Sequence, residues 1–188
     1  MDAFLAEVEG KAFVIARLSL RDDADALDAV QDAMIRLVRK YADRPRAEWK
    51  PLFYRILRNR IVDQQRRRSV RQRFMAWRPT SDAASDPVAE APGRPVDQPD
   101  RQVELQASMA SLQQAIGDLP ERQRQAFLFR AMEGLNVAET ATAMGCSQGS
   151  VKTHYFRAVH SLRATLGEHW DEHDDAQLAQ GREFADHD

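Results

Sequence analysis

Apolar residues in the first half of the chain return at three- and four-residue steps. Leu27, Val30, Met34, Leu37 and Val38 follow one face of an amphipathic helix. Phe13, Val14, Leu18 and Leu20 predict an earlier helix, ended by the Asp22–Asp23 pair. A third helix is expected to open near Trp49–Pro51, since proline is accommodated in a first helical turn. It carries Leu52, Phe53, Ile56, Leu57, Ile61 and Val62. No segment alternates with a period of two for long enough to argue a strand.

From Leu105 onward the same period predicts four more helical stretches. The third opens at Asn136 with Glu139 three residues on, a variant of the capping box, and closes at Gly145. Ser147 is a natural N-cap for the last. Ala141 allows close helix approach, Gly145 makes the turn and Val151 packs back into the core; this is the sequence form of a helix-turn-helix. Projected at about 100° per residue, Val151, Tyr155, Val159 and Leu162 share one face of the last helix. Thr153, Phe156, Arg157 and His160 share the opposite face, with Lys152 on its flank.

Breaks in this pattern divide the chain. Residues 79–99 hold five of the eight prolines and almost no large apolar side chain, a composition that cannot offset chain entropy by burial. Residues 168–188 hold eight acids against one arginine. The expectation is an all-α protein of two small helical domains, 1–78 and 105–167, the second a helix-turn-helix. A flexible proline-rich linker over 79–104 joins them, and an acidic tail follows at 168–188.

Composition narrows the function. At 43% hydrophobic and 30% charged, the 188-residue chain reads as globular, without the ~18–20 apolar run of a membrane span. The first residues carry acids where a signal peptide needs bases, so a cytoplasmic location is expected. A single cysteine, Cys146, excludes an internal disulfide and a multi-cysteine zinc site, and is read as a buried structural residue. Arg55–Phe74 concentrates eight arginines against one acid, Asp63, although the whole chain has a formal charge of −2. Such a block is either a solvated face or a surface for phosphate.

Three segments together resemble a known family. "DAVQDAMIRLVRKY", "WKPLFYRILRNRIVDQQRRR" and "LPERQRQAFLFRAMEGLNVAETATAMGCSQGSVKTHYFRAVHSL" are similar, in that order, to motifs of the extracytoplasmic-function (ECF) sigma factors of bacterial RNA polymerase. The resemblance covers roughly residues 5–75 and 105–166. It implies core RNA polymerase and promoter DNA as partners. Asp28, Gln31, Asp32 and Arg36 would contact polymerase. Arg55, Arg58, Asn59, Arg60, Arg66, Arg67 and Arg68 would hold the melted −10 strand, Asn59 matching a short base-capturing loop. Lys152, Thr153, Phe156 and Arg157 would read the duplex −35 element. An anti-sigma protein is common in the family and is not encoded in this chain. One departure stands out: Pro51 occupies the place of the family's tryptophan, which leaves Phe53 and Tyr54 as candidates to support the melted edge.

Two other readings compete. A stand-alone helix-turn-helix regulator would bind duplex DNA without polymerase, but has no use for the first two segments. An enzyme would need a site the chain does not offer. His169, His173 and Asp174–Asp175 lack a stable helix and a third ligand, so neither metal nor cofactor is expected.

Overall fold

The computed structural model describes residues 1–76 and 99–167, with side chains for 1–72, 106 and 108–167. The linker expected over 79–104 lies mostly outside the described residues, and the acidic tail wholly outside them. Every described element is helical: α1 (Asp2–Leu20), α2 (Asp23–Tyr41), α3 (Arg46–Ala76), α4 (Pro99–Asp118), α5 (Glu121–Phe127), a π-helical turn (Leu128–Met132), α6 (Val137–Met144) and α7 (Gln148–Leu166).

The first three helices pack together around small residues. Ala12, Ala16, Ala26 and Ala33 are fully buried, with Ile15, Val30, Leu37, Phe53 and Leu57 filling the space between them. Alanine lets helix axes approach closely, and this corrects the expected stripe. On α2 the core face is Ala26, Ala29, Val30, Ala33 and Leu37, while Leu27 and Val38 point outward together with Ile35. On α1 the core begins at Phe4 and Val8, and Val14 is exposed.

The α1–α2 corner is tight. Arg21 takes a left-handed conformation (φ 54°) and its N–H bonds the Arg17 carbonyl, after which Asp22 caps α2 by accepting from the Asp25 N–H at 2.9 Å. α3 starts a turn earlier than expected, so Pro51 lies inside the helix, where it removes one N–H from the ladder.

The second domain follows its sequence signals closely. α4 begins at Pro99, within the stretch read as linker. The capping box is complete, with Asn136 Oδ1 accepting from the Glu139 N–H and Glu139 Oε2 accepting from the Asn136 N–H. Gly145 is left-handed (φ 63°), and Ser147 Oγ accepts from the Ser150 N–H. Arg122 closes the motif by donating to the Met144 carbonyl at 2.9 Å.

The two domains share a seam. Lys50, Tyr54 and Arg58, four residues apart along α3, face Gln125, Phe129 and Glu133. Lys50 Nζ donates to the Glu133 carbonyl at 2.8 Å and lies 3.6 Å from its carboxylate, whose side chain is 1% exposed. The Tyr54 and Phe129 rings are 5.4 Å apart, and Arg58 Nε donates to Gln125 Oε1 at 3.0 Å. Residues 124–129 are buried all round: α5 packs on α7, Gln125 and Phe129 meet α3, and α6 also packs against α3. At the far edge Arg21 Nη2 meets Asp118 at 2.6 Å, next to Gly117, where a Cβ would lie 2.8 Å from the same guanidinium.

Candidate nucleic-acid interface

α7 separates its two faces cleanly. Val151, Ala158, Val159 and Leu162 are buried, and the half-buried Tyr155 ring stacks on Phe127. Lys152, Thr153, Phe156 and Arg157 are all exposed, and Phe156 lies 3.9 Å from the His160 ring, centroid to centroid. Neither Lys152 nor Arg157 is held by an acid among the described residues, so both cations are available to an outside partner. Phe156 is a large apolar side chain left about half exposed.

The arginine block of α3 is less uniform. Arg55, Arg66 and Arg67 are exposed and carry no ion pair among the described residues. Arg60 pairs with Asp32 at 3.4 Å, joining a residue expected at DNA to one expected at polymerase. Arg68 donates to the Leu20 carbonyl at 2.7 Å and pairs with both Asp22 and Asp25, which ties α3 to the α1–α2 corner. The Asp22 carboxyl is accordingly held below its ordinary range, first by the Asp25 N–H and, against some burial, by Arg68. Arg58 is turned into the seam, where burial, and then Arg122 nearby, lower its pKa. Its Nη1 donates to Asn59 Oδ1 at 3.2 Å, which leaves the Asn59 amide NH2 free.

Between α2 and α3 lies an open recess of about 440 Å³. Leu52, Ile56, Val62 and Tyr41 supply its apolar walls, and Arg36, Arg55, Asn59, Arg60 and Asp63 its polar rim. A volume in this range suits a small planar ligand. Asn59 reaches the recess from an unbroken helix, not from the short loop expected of it. Phe53 and Tyr54 do not reach it: both are fully buried, and Tyr54 belongs to the seam. There burial and then the Glu133 carboxylate raise its phenol pKa, while neither its hydroxyl nor Glu133 Oε1 closes a hydrogen bond of good geometry. Cys146 is half-buried in the helix-turn-helix turn.

Comparison with known proteins decides the family. Residues 7–71 match the family profile described as Sigma-70 region 2, and residues 109–162 match Sigma-70, region 4. The ECF RNA polymerase sigma factor SigM of Mycobacterium tuberculosis is 32% identical over 154 residues, 81% of this chain and 70% of that protein. The chain belongs to the ECF sigma factors. The RNA polymerase sigma-E factor of Streptomyces coelicolor is 30% identical over 151 residues, 80% of this chain and 77% of that one. In fold, the sigma factor RpoE of Bartonella quintana, solved with the anti-sigma factor NepR, aligns with a TM-score of 0.63 at 21% identity. That alignment covers 90% of this chain and all of the other. CnrH, solved with the cytosolic domain of CnrY, aligns at 0.56 and 20% identity, over 88% and 86%.

An ECF sigma factor is a regulatory protein of transcription initiation, and its partners are core RNA polymerase and promoter DNA. The stand-alone regulator is not favoured. Among the described residues of this sigma factor, no helix is long and apolar enough to cross a membrane. Asp28, Gln31, Asp32 and Arg36 lie exposed on the outer side of α2, beside the outward Leu27, Ile35 and Val38. Sequence reasoning missed those three apolar neighbours, and it missed the seam residues Lys50, Gln125 and Glu133. The unbroken apolar run "AFLF" (126–129) is the sequence signal for a helix covered on more than one side, and the burial of 124–129 agrees with it.

Proposed function

We propose that this sigma factor grips core polymerase through the outer face of α2, reads the −35 duplex through α7, and holds the melted −10 strand on α3. The observation that carries the reading is the recess: an open, largely polar hollow with Tyr41, Leu52 and Val62 among its walls, offered to one extruded base and rimmed by Arg36, Arg55 and the free amide of Asn59. Capturing a single strand needs that combination of cationic track and base pocket. Arg66 and Arg67 extend the track along α3. Arg58 joins it once released from Gln125, and Arg68 supports it by fixing the helix. On α7, Lys152 and Arg157 meet phosphate or guanine edges, Thr153 a base edge, and Phe156 a thymine methyl. On α2, an apolar centre of Leu27, Ile35 and Val38 ringed by Asp28, Gln31, Asp32 and Arg36 has the make-up of a protein interface. The setting is cytoplasmic, and an anti-sigma protein acts by holding the domains in a form that cannot span the promoter.

That last point follows from size. Elements at −35 and −10 are about 25 base pairs apart, roughly 85 Å at ~3.4 Å per pair. A compact chain of this length is only ~40 Å across. The seam therefore parts before both elements are held. The 22 residues between α3 and α4 can span up to ~75 Å when extended.

The test is reconstitution with core polymerase and transcription from a promoter library. The expected result is initiation at a shared pair of −35 and −10 elements. Asn59→Ala should keep polymerase binding and lose strand opening, read by permanganate reactivity of unpaired thymines. Full opening by that variant would sink the role given to the recess.

A further inference from the structure

We infer that the acidic segment 168–188 docks on the α2–α3 recess of its own chain and competes there with nucleic acid. Around this recess the first domain carries uncompensated positive charge: Arg36 and Arg55 on the rim, and Arg66 further along α3, have no acid partner among the described residues. Of the acids close by, Asp32 is committed to Arg60, and Asp22 with Asp25 to Arg68; Asp28 and Asp63 remain. With Arg60 taken up by Asp32, the rim holds two unpaired guanidiniums, Arg36 and Arg55, against the Asp63 carboxylate.

Opposite charge is supplied by the residues that follow α7. Eight acids stand among them against Arg182 alone, five of the eight between Glu168 and Asp175. The same segment offers Trp170 and Phe184 to the partly exposed apolar walls formed by Tyr41, Leu52 and Val62. A chain alternating carboxylates with flat rings copies what a single strand presents, phosphates and bases. An arginine rim favours both, through ion pairing and through stacking on rings.

Reach is sufficient. α7 ends at Leu166, and the following ~20 residues can extend to roughly 70 Å, beyond the ~40 Å width of the body. A tether of that length holds its end at an effective concentration near the millimolar range, so weak pairing suffices for occupancy. The docking itself stands on charge and cavity; its competition with DNA rests on the function proposed above.

The test uses the full chain with its segment neutralised by Glu168→Gln, Asp171→Asn, Glu172→Gln, Asp174→Asn and Asp175→Asn. A fluorescent peptide of residues 167–188 is titrated against it. Expected are saturable binding, at least tenfold weaker binding to the unaltered chain whose own segment fills the site, and loss of binding on adding Arg55→Glu and Arg66→Glu. A thermal melt of the charge-reversed protein confirms that it remains folded. No binding, equal binding to neutralised and unaltered chains, or binding indifferent to charge reversal would overturn the inference. A single-stranded oligonucleotide is then added. Displacement of the peptide supports competition at the recess. Peptide binding that no oligonucleotide displaces leaves the docking standing and removes the −10 role from this surface.

Discussion

The two surfaces proposed to meet DNA are built on opposite plans. On α7 the proposed contact residues sit on a face that no other described element covers, and among the described residues Lys152 and Arg157 have no acid partner. On α3 the arginines are divided between solvent, the α1–α2 corner, Asp32 and the seam. One helix keeps its core residues and its open cations on separate sides; the other sends its arginines to several sides at once. Substitutions on α7 should therefore report binding alone, whereas those on α3 should report binding and stability together.

The largest effect is expected at the seam. Lys50→Ala leaves the Glu133 carboxylate buried without its cation, a loss of about 3 kcal/mol if the domains stay docked. The chain can avoid that cost by parting, which small-angle scattering would detect as a larger radius of gyration. An unchanged denaturation midpoint with an unchanged radius would remove the seam from the comparison. Arg68→Ala is next, at about 2 kcal/mol by urea denaturation, because it releases two carboxylates and one carbonyl from a half-exposed site.

On α7 the prediction reverses. Lys152→Ala and Arg157→Ala should leave folding stability within about 0.5 kcal/mol. Each should reduce transcription from a mapped promoter by about tenfold or more, the 1–3 kcal/mol of a base contact. Equal stability losses on both helices would erase the distinction between them.

The smallest effect is pH-dependent. The Asp22 pKa is depressed in the folded state, so its stabilising contribution is present above the unfolded value of ~3.9 and lost as pH falls through the folded value. Asp22→Asn should flatten the acid limb of the stability curve below about pH 4 and change little on the α7 side. A limb as steep as that of the unaltered protein would contradict this.

The same contrast explains what was legible in the sequence. α7 could be read residue by residue because its core partners lie on one side and its caps are local. α2 misled because large apolar side chains suggest a core stripe, whereas close three-helix packing selected Ala26, Ala29 and Ala33 and left Leu27, Ile35 and Val38 outside. Phe53 and Tyr54 were misplaced for a related reason, since α3 is covered by its own domain and again by the second. The division of the arginine block was beyond reach: which guanidinium meets Asp22, Asp32 or Gln125 depends on contacts 28 residues distant for Arg60 with Asp32, 46 for Arg68 with Asp22 and 67 for Arg58 with Gln125.

The buried Lys50–Glu133 contact also makes promoter strength adjustable from a distance. If only the parted form can span the two elements, apparent affinity falls in proportion to the parted fraction. Each ~1.4 kcal/mol added to the seam then costs tenfold in output at every promoter alike, and each ~1.4 kcal/mol removed restores it. Selection can then raise or lower a whole set of genes through Gln125, Phe129 or Glu133 while the residues proposed to read DNA, and so the choice of genes, stay as they are.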